Sequence, residues 1–241
     1  MRILALLILC LFASQAAHAE EDMKKYVDFQ ARHITKLVEL IDMALKEAAE
    51  TIARNPDKEE LFLQESLRNY VERTPALRAI IHTDKNGILR TDSITYPAKN
   101  IDLHDREYVK HSLSSQEQEL YIGASVLGRS SGTSFIPFSR PMIDTQKKPI
   151  GVVAGIMHPG FLIRQDLLCS QCFAAVFNKD GRVLVSYPSN AQYPKDYVAA
   201  LINQQDGVSL EYLLEGQKVQ SQTIHLKKFD LSISISAFSK K

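Results

Sequence analysis

Apolar residues recur at threes and fours from Asp22 to Asn55: Val27, Ile34, Leu37, Val38, Ile41, Leu45, Ala48 and Ile52, with Lys, Glu and Arg between them. That period is one face of a helix, and Asn55-Pro56 ends it, because the residue before a proline is pushed out of the helical region. A second helix is predicted over Lys58 to Glu72, carrying Leu61, Leu67, Tyr70 and Val71 and closing before Pro75. The pattern then changes. Leu77–Thr83 reads as a strand, Asp84-Lys-Asn-Gly87 as a tight turn and Ile88–Ser93 as the return strand, with Gly87 supplying the positive φ that such a turn needs. A short helix is expected from Asp102. Strands follow around Tyr121, at Phe135–Arg140, and at Ile150–Met157, whose unbroken apolar run predicts burial on both faces.

The second half repeats this plan. Phe173–Ser186 is again strand, Asp-Gly turn and strand; a helix is predicted near Pro194 to Gln204; Val208–Leu214 and Lys218–Leu226 flank the turn at Gly216. Leu231–Phe238 alternates with period two, apolar residues on one face. The expected fold is α+β: a long N-terminal helix followed by two tandem lobes, each an antiparallel sheet flanked by helices. The apolar stripe of the long helix is expected to lie along those lobes.

The start of the chain obeys different rules. Arg2 precedes an apolar run, Ile3 to Ala13, and Ala17-His18-Ala19 is a small-x-small cleavage site followed by Glu20, Glu21 and Asp22. Residues 1–19 are therefore expected to be a signal peptide cleaved after Ala19, leaving a periplasmic or secreted protein of about 220 residues. The expected divisions after it are 20–75 for the two helices, 76–165 for the first lobe and 166–241 for the second. Net charge is +1 with no basic block, so nucleic acid is not an expected partner. Two cysteines follow the signal, Cys169 and Cys172. In an oxidising compartment a short-loop disulfide is the first reading, with a free or regulatory thiol pair as the other. A thioredoxin-like site would need a helix after the motif, and Phe173–Phe177 reads as a strand.

Candidate chemistry concentrates between Asn100 and Ser139. Asp102 is a good N-cap, and Asp105 sits where a carboxylate favours a helix start. Arg106, Tyr108 and His111 follow on that helix, facing the turn of Ser130, Ser131 and Gly132 between strands. Arg presents a planar fork that matches the two oxygens of a carboxylate, and hydroxyls can complete the shell. The competing reading pairs Arg106 with Asp102 or Asp105 at the surface, worth under about 1 kcal/mol. Arg129 is expected to face solvent. His104 and His111, seven apart, would share a helical face, but metal-binding helices more often use a spacing of four and no third ligand is evident, so no metal is expected. His158 either reaches the same pocket or ends its strand. There is no Gly-x-Ser-x-Gly elbow, His-Glu-x-x-His, phosphate loop or dinucleotide fingerprint, so neither an enzyme nor a cofactor is expected.

Asp102-x-x-Asp105-Arg106-x-Tyr108, Ser130-Ser-Gly132, Phe138–Asp144 and Gly151-Val-Val-Ala-Gly155, in that order, resemble the double Cache sensor domain over essentially the whole mature chain. The resemblance implies two PAS-like lobes on a long helix, as in extracytoplasmic sensor regions of chemoreceptors, histidine kinases and diguanylate cyclases. It implies a ligand in the first lobe, with Arg106 and Tyr108 lining the pocket and Ser130, Ser131 and Arg140 nearby. Two departures shape the expectation. A cleavable signal precedes the sensor and the chain stops at Lys241, which implies a detached sensor acting on a membrane-bound kinase, cyclase or chemoreceptor. Amino-acid-binding relatives place an acid late in the last strand, and Ala154–His158 holds none, so a small carboxylate fits better. Two other classes stay open: an interaction module with a vestigial pocket, and a thiol redox protein using Cys169 and Cys172.

Overall fold

The computed structural model describes residues 2–239, with side chains from Met23 onward. The predicted signal segment, 1–19, lies outside the residues whose side chains are described. Helix α1 runs Arg2–Arg54. Its predicted stripe is buried almost as read: Ile34, Val38, Ile41, Leu45 and Ala48 are fully buried, Val27 and Ile52 nearly so. Each such aliphatic side chain contributes about 1.5–3 kcal/mol on burial. Among the described residues no helix is long and apolar enough to cross a membrane.

The chain divides into two compact units, one formed by Thr35–Phe161, the other by the helix up to Ile34 with the chain from Leu162. In the first, helix α2 (Glu60–Glu72) leads into β1 (Leu77–Asp84) and β2 (Leu89–Asp92). Helix α3 (Glu107–Ser114) follows, then β3 (Tyr121–Ile122), β4 (Val126–Leu127), β5 (Ser134–Ile143) and β6 (Pro149–Met157). The sheet is antiparallel in the order β2-β1-β6-β5-β3, with β4 paired to β5. Strands β5 and β6 are buried along most of their length, as the apolar run of β6 predicted. Gly155 lies where a Cβ would come 2.9 Å from Leu77 and 3.4 Å from Leu45 of α1, so its hydrogen lets helix and sheet close up. The second unit contains β7 (Cys172–Asn178), β8 (Val183–Tyr187), α4 (Lys195–Ile202), β9 (Ser209–Leu214), β10 (Gln217–Leu226) and β11 (Leu231–Phe238), ordered β8-β7-β11-β10-β9. The two sheets thus share one strand order. The internal repeat read from the sequence is a repeat of topology.

One expectation is corrected. The helix predicted from Asp102 begins only at Glu107, with Arg106 as an extended N-cap residue. Asp102 does accept a backbone N–H, from His104 at 2.9 Å, but the turn it closes is local. Its backbone is engaged elsewhere: residue 102 bridges to Ile88, Leu89 N–H donates to Ile101 O, and Leu103 N–H donates to Gly87 O, both at 2.9 Å. A chain pinned extended along a hairpin cannot also coil. His104 therefore precedes the helix, and no shared helical face joins it to His111. In β11 the face opposite the isoleucines is also buried, with Ser234 and Ser236 fully enclosed. The Tyr197 hydroxyl of α4 meets Ser236 and Ser221, each at 2.7 Å, so these two buried hydroxyls are paired.

Arg140 of β5 is buried against α1: its Nε donates to Asp42 at 2.5 Å, and it also donates to the Gln118 carbonyl. Burial pushes the Asp42 carboxyl up, but the hydrogen bonds and charges of Arg140 and Lys46 outweigh it and hold the pKa below the ordinary value. A carboxyl so depressed contributes stability above its unfolded pKa and loses it as pH falls through the folded one. Arg140→Ala should cost about 3–5 kcal/mol at neutral pH in chemical denaturation, and the difference from wild type should shrink in acid. Gly87 has φ +78°, and a Cβ there would lie 2.6 Å from His104 Cα. Gly87→Ala should destabilise by about 1–3 kcal/mol and loosen amide protection at Leu103 in hydrogen exchange.

Candidate functional site

The sheet of the first unit curves over a cavity of about 280 Å³, near the lower end of ligand-site volumes. Its floor is apolar: Ala79 and Ile81 of β1, Leu89 of β2, Phe135 of β5 and Ile156 of β6, joined by Ile101 and Leu103 of the pinned segment. Alternation along the strands explains most of this set. Arg78 breaks it, standing beside Ala79 yet lining the same cavity, because the register of β1 against β6 shifts between Leu77 and Ala79. A bulge re-aims one side chain without moving its neighbour.

The polar wall comes from three places. Arg106 and Tyr108 stand at the start of α3, and Ser139 of β5 holds that helix by donating to the Tyr108 carbonyl at 3.0 Å. With that proton committed, Ser112 donates to Ser139 across 2.9 Å. The Tyr108 side chain is almost fully buried, and burial pushes its phenol pKa up to about 12, against the lowering charges of Arg106 and Arg129. At neutral pH its hydroxyl is therefore a donor. Among the described residues neither that hydroxyl nor the Arg106 guanidinium has a hydrogen-bond or ion-pair partner within the protein.

The tip of the β4–β5 hairpin supplies Gly128, Arg129, Ser130 and Ser131. Arg129 is exposed, as expected, and also lines the cavity, donating to the Asp102 carbonyl and the Asp105 carboxylate. It is Arg129 that takes the acid proposed for Arg106, and its hydrogen bond holds the Asp105 carboxyl below the usual range. Lys99 donates to Ser130 at 3.0 Å and Arg78 to Ser131 at 3.4 Å. The hairpin tip is thus tied to the strand, the loop and the helix entry around the cavity mouth.

Arg106, Tyr108, Ser130 and Ser131 are brought together at this cavity. Arg140 and His158 are not. Arg140 is claimed by Asp42, and His158 follows β6, where its Nδ1 accepts the Gly160 N–H at 3.1 Å and its ring meets Phe161 edge-on. His104 is held by Asp102 at 2.7 Å, and His111 stacks on Tyr121 at 4.0 Å. Sequence reading missed Arg78, Lys99 and Asp92. Asp92 ends β2; burial pushes its carboxyl pKa up despite hydrogen bonds from Ile94 and Thr95 and the charge of Lys99. Only the bulge and the loop path bring these groups in, and neither has a local signal. Cys169 and Cys172 are joined in a disulfide, Cα to Cα 5.1 Å, immediately before and at the start of β7.

No family model matches the chain, and no curated protein matches it in sequence. Solved structures do match in fold. The extracellular domain of rpHK1S-Z16, assigned as a histidine kinase, superposes with a TM-score of 0.81 at 20% identity, over 93% of this chain and 96% of that one. The sensory domain of the Campylobacter jejuni chemoreceptor Tlp3 with isoleucine bound gives 0.69 at 14%, covering 94% and 95%. The ligand-binding domain of Pseudomonas fluorescens chemoreceptor CtaA with L-serine gives 0.68 at 18%, covering 94% and 100%. The fold is that of extracellular sensor domains of histidine kinases and chemoreceptors. These neighbours are sensory domains rather than enzymes.

Because the Tyr108 hydroxyl has no partner among the described residues, Tyr108→Phe should leave stability within about 1 kcal/mol of wild type in thermal denaturation. Any loss of ligand response in that variant then belongs to the hydroxyl.

Proposed function

We propose that this protein is an exported, non-enzymatic sensor that binds a small carboxylate-bearing molecule in the cavity of the Thr35–Phe161 unit and modulates a membrane-bound kinase, cyclase or chemoreceptor. What carries the reading is Arg106. A guanidinium without a partner among the described residues, beside a phenol that stays protonated, over an apolar floor, is a carboxylate receptor in its chemistry. Ser130 and Ser131 line the same cavity, each already accepting a hydrogen bond from a cation. The fold supports the sensor role and the kind of partner, since its solved neighbours are extracellular parts of kinases and chemoreceptors. Export rests on the signal-peptide pattern at 1–19.

A second reading keeps the carboxylate end and adds an ammonium group. Asp92 in the cavity favours it, as an acid reached from β2 rather than from the last strand, and Tlp3 and CtaA carry amino acids in their solved forms.

A thermal-shift screen against short carboxylates and amino acids, run beside Arg106→Ala, tests both. A ligand at about a hundred times its Kd should add about 3 kcal/mol to wild type and almost nothing to the variant. A hit that stabilises Arg106→Ala equally would move the ligand elsewhere. Recovery of no membrane signalling protein by crosslinking in the periplasm would count against the proposed partner.

A further inference from the structure

We infer that the ligand is a short molecule with two anionic ends, a dicarboxylate rather than a monoacid or a zwitterion; this rests on the carboxylate reading of Arg106. Four cationic side chains line the cavity, Arg78, Lys99, Arg106 and Arg129, against a single acid, Asp92. Asp105, just outside the lining, neutralises Arg129. Setting Asp92 against one more cation leaves an excess of two positive charges facing a small, partly apolar space. Like charges brought together without counter-charge repel, and a dianion relieves that where a zwitterion cannot.

The charges form two groups. Arg129 is bonded to Asp102 and Asp105 at the entry of α3, where Arg106 stands, whereas Lys99 and Arg78 hold the serines of the hairpin tip and the charge of Lys99 also acts on Asp92. Neither acceptor of the second group is charged: Lys99 and Arg78 donate to the hydroxyls of Ser130 and Ser131, at 3.0 and 3.4 Å. A cation on a neutral hydroxyl makes a weaker bond than the same cation on a carboxylate. One end of the ligand therefore meets Arg106 and Tyr108, the other takes Lys99 and Arg78 from the serines, and the carbon chain between them lies on the apolar floor. An ammonium group directed at Asp92 would instead sit beside Lys99, where it is repelled.

The test is isothermal titration of the protein with succinate and glutarate, with butyrate and valerate as monoacids of equal length, and with L-alanine and L-isoleucine as zwitterions. At least one dicarboxylate should bind at least about tenfold tighter than its monoacid. Lys99 is exposed, so Lys99→Gln should fold normally; it should bring the dicarboxylate down to the monoacid's affinity and leave the monoacid unchanged. Arg106→Gln should weaken both. Equal binding of monoacid and dicarboxylate, tighter binding of an amino acid, or indifference of the dicarboxylate to Lys99→Gln overturns the two-ended anion. If binding of the monoacid or amino acid still depends on Arg106, the sensor reading survives that outcome. A panel in which nothing binds overturns both.

Discussion

Two backbone hydrogen bonds, Leu89 N–H to Ile101 O and Leu103 N–H to Gly87 O, hold the segment before α3 along the first hairpin, and the cavity depends on them. They keep that segment extended, so Ile101 and Leu103 become cavity wall and Arg106 becomes the N-cap of a short helix rather than a residue inside a longer one. Gly87 makes the contact possible, since any Cβ there would enter His104. A hairpin turn chosen for its positive φ thus also sets where the candidate anchor stands.

Electrostatics then divides the arginines of this unit by what each finds nearby. Arg140 meets Asp42 under cover of α1 and becomes a structural strut. Arg129 meets Asp105 and becomes a tie for the hairpin tip. Arg106 meets neither acid and is left facing the cavity. The same residue type takes three roles because Asp42 and Asp105 pair with the first two, while Arg106 makes no ion pair among the described residues. Arg106 is only half-buried, so it can stand at the cavity without an ion pair, where a buried charge could not.

The second unit shows what the same strand order becomes without that arrangement. Its inner face carries Phe173, Ala175 and Phe177 beside the serines of β11, closed by Tyr197, Val198 and Leu201 of α4. Tyr197 spends its hydroxyl on Ser221 and Ser236, whereas Tyr108 in the first unit keeps its own for the cavity. One topology encloses a packed face in one unit and a cavity in the other, and the difference lies in single side chains.

The sequence by itself determined the elements: the period of α1, the glycine turn of the first hairpin, the buried run of β6 and the repeat of the plan, each a local pattern with a local physical cause. It also placed Arg106, Tyr108, Ser130 and Ser131 in one candidate site, through the resemblance to a known sensor pattern. What only the tertiary structure decided was partnership. Whether Arg140, Arg129 or Arg106 is free depends on where Asp42, Asp105 and the Gln118 carbonyl arrive in space, and no spacing along the chain encodes that. Arg78 enters through a shifted register, Asp92 from the end of β2, and Lys99 through the path of a loop. Secondary structure follows from neighbours in sequence; charge pairing, burial and the lining of a cavity follow from neighbours in space.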